Sequence, residues 1–148
     1  LTRLTLTDFR NYAGLRLEAD ASLIALSGPN GAGKTNLLEA VLVLARGGSY
    51  RVRDGELVQF NKPWARVDGF FEKYARSVKI ELNGERPDKT FVLDDKPYKR
   101  LSLERTVPVV FFEPNHLQLM TRGPDQRRGA LCRHRDHPRR GAEGAADA

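Results

Sequence analysis

Residues Gly28-Pro29-Asn30-Gly31-Ala32-Gly33-Lys34-Thr35 satisfy the pattern G-x-x-x-x-G-K-[ST] in full, and no other stretch constrains the fold so tightly. Glycines let a backbone wrap an anion so that successive N–H groups converge on it. A helix that begins at the loop adds the partial positive charge of its N-terminus. In this pattern Lys34 reaches the β- and γ-phosphates of a nucleoside triphosphate, and the Thr35 hydroxyl ligates Mg²⁺. The flanking sequence has the required order. Leu23-Ile24-Ala25-Leu26 reads as a strand buried on both faces. Residues 34–46 then place Leu37, Leu38, Val41, Leu42 and Ala45 on one helical stripe, and Gly47-Gly48 ends it. Strand, loop and helix together predict an α/β phosphate-loop NTPase with a mixed sheet, binding ATP and Mg²⁺ through Gly28 to Asn36.

Elsewhere the patterning is mostly that of strands. Leu4 and Leu6 alternate with Thr5 and Thr7, and Leu15-Arg16-Leu17-Glu18 resumes the alternation after a break, so an antiparallel pair opens the chain. Val67 to Phe71, Val78 to Leu82 and Thr90 to Leu93 are strand candidates, with Asn83-Gly84 as a turn signal. Phe70, Phe71, Phe111 and Phe112 read as core, and Trp64 as a packing residue. Val107 to Phe112 is a further apolar run, stopped by Glu113-Pro114.

The 148 residues suffice for one domain with its own core. A single cysteine, Cys132, excludes a disulfide framework and a cysteine-based zinc cluster. It fits a cytoplasmic protein, and no apolar run is long enough to span a bilayer. The net charge of +6 favours polyanionic partners. In the last twenty residues Arg133, Arg135, Arg139 and Arg140 against Asp136, Glu143 and Asp147 leave only +1. The surplus therefore lies in the body, where it can form a binding face.

Five stretches in order resemble the RecF family, in the SMC-like branch of ABC ATPases. They are Asp8-Phe9-Arg10-Asn11-Tyr12, the loop running on through Asn36-Leu37-Leu38-Glu39-Ala40, Gly48-Ser49-Tyr50-Arg51, Val110 to Leu117, and Gly123-Pro124-Asp125-Gln126-Arg127-Arg128. The resemblance covers residues 1–128, the N-terminal part of an ATPase head. It implies an ATP-dependent DNA-binding protein that helps load recombinase onto single-stranded or gapped DNA, with recombination mediators as partners and an ATP-dependent homodimer. It also implies roles in DNA replication, DNA damage repair and the SOS response. Arg10 and Asn11 become candidate nucleotide contacts. Arg51 and Arg53 either touch DNA phosphates or stabilise the loop after the helix, and both readings stay open. Asn115 and His116 depart from the family's acidic pair.

Neither a Walker B strand ending in acidic residues nor a Ser-Gly-Gly signature occurs in the chain. In the family these lie in a C-terminal half, and the hydrolytic site is composite between subunits. Nucleotide binding without efficient turnover is therefore the expectation, and no catalytic residue is assigned. From Gly129 to Ala148, thirteen of twenty residues are Gly, Ala, Arg or Pro and no periodicity survives. That composition reads as a disordered tail or as the product of a frameshift. Two competitors remain at this level. One is another phosphate-loop protein, a transporter-type ATPase or a small nucleotide kinase. The other is a basic DNA-binding module with a vestigial loop.

Overall fold

Alternation of Leu4 and Leu6 with threonines produces β1 (Arg3–Phe9), which turns at Arg10-Asn11 into β2 (Tyr12–Glu18). The computed structural model describes residues 1–19, 21–84 and 86–112. One helix, α1 (Lys34–Arg46), follows the glycine-rich loop, and a 3₁₀ turn spans Asp54–Leu57. Four more strands complete the sheet: β3 (Trp64–Phe70), β4 (Ala75–Glu81), β5 (Asp88–Leu93) and β6 (Lys96–Tyr98). The strand order is β2-β1-β3-β4-β5-β6, and every neighbouring pair is antiparallel. The chain divides into two units, Leu1–Val109 and Val110–Ala148, and the elements named here belong to the first. The expected segments at Glu113 to Leu117, Gly123 to Arg128 and the tail from Gly129 lie outside the described residues. Among the described residues no helix is long and apolar enough to cross a membrane.

Period-two alternation fixes which face of the sheet is buried. Leu4 and Leu6 of β1, Ala65 and Val67 of β3, Val78 and Ile80 of β4 and Phe91 of β5 join α1 residues Leu37, Ala40, Val43 and Leu44 in one core. Helix and sheet meet at Gly69, where a methyl group would lie 2.0 Å from Leu44 Cδ2. The opposite face carries charges in pairs, among them Arg66 with Asp68 and Lys79 with Glu81.

Four expectations need correction. Leu23 to Leu26 is not a strand: Leu23 is 85% and Ile24 45% exposed. No described strand pairs with the segment, and apolar sequence alone cannot satisfy backbone groups that lack a partner. The described sheet is accordingly antiparallel throughout, without the parallel strands a mixed sheet would add. The buried face of the helix is also wider than the expected stripe: Leu37, Leu42 and Ala45 are buried as expected, Ala40, Val43 and Leu44 are buried too, and Leu38 is 48% exposed. Nearly every position from Leu37 to Ala45 is apolar, so periodicity does not select a face. Two phenylalanines expected in the core are exposed: Phe70 sits on the outer face, with the Arg3 guanidinium 5.1 Å from its ring centre, and Phe112 is 66% exposed. Val107 to Phe112 forms no strand, although the Val107 N–H donates to the Ala45 carbonyl at 2.9 Å.

Candidate nucleotide-binding site

Positive backbone angles at three glycines shape the loop: φ is 148° at Gly28, 82° at Gly31 and 98° at Gly33. Side chains are disfavoured in this region. The Lys34 ammonium folds back over the loop and donates to the carbonyls of Gly28 and Pro29, each at 2.7 Å. Helix α1 begins immediately, with its first bond from the Leu37 N–H to the Gly33 carbonyl at 3.0 Å. No side chain caps that helix start, and no acidic residue stands in its first turn. The partial positive charge of the helix end is therefore uncompensated, which is the condition for anion capture.

The turn between β1 and β2 delivers a second set of groups. Asn11 accepts from Asn36 Nδ2 at 2.8 Å and donates toward the Ala32 carbonyl at 3.5 Å. It lies so close to the loop that a Cβ on Gly33 would meet Asn11 Nδ2 at 2.5 Å and the Tyr12 hydroxyl at 2.9 Å. Gly33 is thus required twice, by its backbone angle and by its neighbours. Arg10 has a left-handed backbone, φ 53°, held by its N–H to the Leu57 carbonyl at 2.9 Å. Its guanidinium donates to the Glu56 carbonyl at 3.0 Å and lies 3.4 Å from Glu39 Oε2. Of the two candidates in this turn, Asn11 touches the loop and Arg10 is engaged beside it.

Arg51 also reaches Glu39 Oε2, at 3.2 Å, and Asn36 Oδ1 at 3.4 Å. These contacts tie the segment after α1 to the loop helix. The exposed Arg53 precedes the 3₁₀ turn, and its backbone N–H donates to Glu56 Oε1 at 3.2 Å. Gly28, Pro29, Asn30, Gly31, Ala32 and Thr35 all stand exposed around the loop. A groove of about 570 Å³ adjoins it, lined by Arg10, Asn11, Asn36, Glu56, Gln59 and Phe60 among others. Glu39, Gln59 and Phe60 escaped the sequence reading. Glu39 carried a usable signal, being an acid inside an otherwise apolar helical run.

The residues present fit a nucleoside triphosphate with Mg²⁺. Open glycines, an uncapped helix start and one ammonium suit a polyphosphate. The exposed Thr35 hydroxyl offers a hard oxygen, of the type a magnesium ion takes alongside phosphates and water.

The chain is similar to known proteins over most of its length. The AAA domain family matches residues 3–115. The chain is 37% identical over 133 residues to the DNA replication and repair protein RecF of Clostridioides difficile strain 630, covering 88% of this chain and 36% of that protein. It is 36% identical over 130 residues to RecF of Geobacillus thermodenitrificans strain NG80-2, covering 86% of this chain and 35% of that one. Among solved structures, the recombination mediator protein RecF with ATP in the RecFOR pathway superposes with a TM-score of 0.66 at 26% identity, over 88% of this chain and 36% of that chain. The chain therefore spans about a third of the length of these relatives.

Proposed function

The chain belongs to the AAA domain family and corresponds to the N-terminal portion of the RecF family, and on that premise we propose that it is the nucleotide-binding part of an ATP-gated, DNA-binding head. The carrying observation is the loop itself. Three glycines at positive φ lead into an uncapped helix start, with Lys34 folded over the loop and Asn11 against Gly33. ATP is the proposed ligand, with its phosphates on Gly28 to Thr35, its magnesium on Thr35, and Asn36, Asn11 and Arg10 alongside. Thr35 would hold the magnesium, which when bound would neutralise phosphate charge. The chain's own groups hold and orient: loop N–H groups, the Lys34 ammonium, the Thr35 hydroxyl and the side chains of Asn11, Asn36 and Arg10.

No hydrolytic step is assigned to the residues of this chain. The working protein, in this reading, is an ATP-dependent homodimer in the cytoplasm. It binds single-stranded or gapped DNA with mediator proteins during replication, repair and the SOS response. Arg51 and Arg53 stand after α1 as candidate contacts to DNA phosphates.

Fluorescence anisotropy on single-stranded, gapped and duplex DNA, with and without MgATP, tests this. MgATP is expected to strengthen binding, and log K on duplex is expected to fall with log salt by about 0.9 per neutralised phosphate. DNA binding indifferent to MgATP would instead favour a basic module with a vestigial loop.

A further inference from the structure

Glu39 is fully buried in helix α1, and nothing in the proposed phosphate contacts uses it. Burying a carboxylate is tolerated only where cations and donors meet it. Here three do. Arg51 Nη2 donates to Oε2 at 3.2 Å, Arg10 Nε stands 3.4 Å from the same oxygen, and the Ser49 hydroxyl donates to Oε1. Two guanidinium groups against one carboxylate leave a positive surplus beside the loop.

The direction of the next bonds follows from that charge. A carboxylate only accepts and a guanidinium only donates, so Arg51 presents an N–H to Asn36 Oδ1 at 3.4 Å. The Asn36 amide is thereby turned with Nδ2 toward Asn11, donating to Oδ1 at 2.8 Å. The Asn11 amide is turned in the same sense, with Nδ2 toward the Ala32 carbonyl at 3.5 Å. In a trans peptide the C=O and the following N–H point opposite ways. Holding the Ala32 carbonyl toward Asn11 therefore aims the Gly33 N–H away from it. Arg51, held by the buried Glu39, sets the polarity of a chain of four hydrogen bonds that ends in the phosphate loop. The outer links are long, at 3.4 and 3.5 Å, leaving room to tighten when the loop fills.

We propose that Glu39 is a positioning residue for nucleotide binding, acting through Arg51, Asn36 and Asn11 to orient the Ala32–Gly33 peptide. This rests on the nucleotide-binding reading above. The test is a double-mutant cycle on the affinity of the full chain for MgATP, with thermal denaturation run beside it. Glu39→Gln keeps the shape but removes the charge that holds Arg51 in the relay, and Asn36→Ala removes its central link. Each is expected to weaken MgATP by about tenfold, the loss of one charge-assisted hydrogen bond. The double variant is expected to lose about tenfold again rather than about a hundredfold, because both changes cut one chain. A carboxylate that merely stabilises the fold would give losses that multiply. Wild-type affinity in Glu39→Gln, or multiplying losses, overturns the proposal. If the wild-type chain fails to bind MgATP, the nucleotide reading itself falls and takes the relay with it. Should Glu39→Gln not fold, Arg51→Met cuts the same relay from its more exposed end and takes its place in the cycle, with the same two outcomes.

Discussion

Lys34→Ala is expected to lower the affinity for MgATP by about a hundredfold while leaving the thermal transition nearly in place. The ammonium has three donors. Two go to the Gly28 and Pro29 carbonyls at 2.7 Å, and the third is left for a phosphate. Removing the side chain deletes a charge from a site made for a polyanion. Hydrogen bonds to charged groups contribute about 1.5–3 kcal/mol each, so the loss of one, toward the upper end of that range, amounts to roughly a hundredfold. The carbonyls it releases belong to exposed residues and rehydrate, so stability changes little. Isothermal titration of both proteins, with thermal denaturation, separates the two effects. A variant that binds as the wild type does would remove Lys34 from the site.

Phe9→Ala is expected to do the reverse, damaging the fold first. Phe9 is fully buried in the main core at the end of β1, and its backbone forms an isolated antiparallel bridge with Val58. The Gln59 N–H donates to the Asp8 carbonyl at 2.7 Å, so the same anchor holds the segment beneath the groove. Truncating a buried phenylalanine costs about 3–5 kcal/mol, against a total of about 5–15 kcal/mol for a domain. Thermal denaturation should show a midpoint lowered by about 15 °C or more. Phe9→Leu should cost less than about 1.5 kcal/mol. An unchanged midpoint in Phe9→Ala would mean that this core is not the one that holds the sheet together.

The site was legible where local chemistry decides the structure. Helix α1 runs from Lys34 to Arg46 as expected, because Gly33 and Gly47 both take the left-handed backbone that ends regular structure. The β1–β2 pair was legible from alternation alone. What could not be read depends on distant partners. Leu23 to Leu26 has the composition of a buried strand, yet a strand needs a neighbour and no described strand supplies one. β6 is three residues long and contains Pro97, so no pattern announces it. Asp94 and Asp95, both at positive φ, mark the turn before it and carried the missed signal. Arg51 could be read either as a DNA contact or as a brace. Its bonds to Glu39 and Asn36 depend on a fold that brings residues 36, 39 and 51 together.

Hydrogen exchange resolved along the chain, with and without saturating MgATP, tests the central claim most directly. Amides from residues 28 to 36 should exchange more slowly with nucleotide, joined by residues 10 to 12 of the β1–β2 turn. The β5–β6 hairpin, Asp88 to Tyr98, should be unaffected. Unchanged exchange across residues 28–36 at saturating MgATP would contradict the assignment of this loop as the nucleotide site.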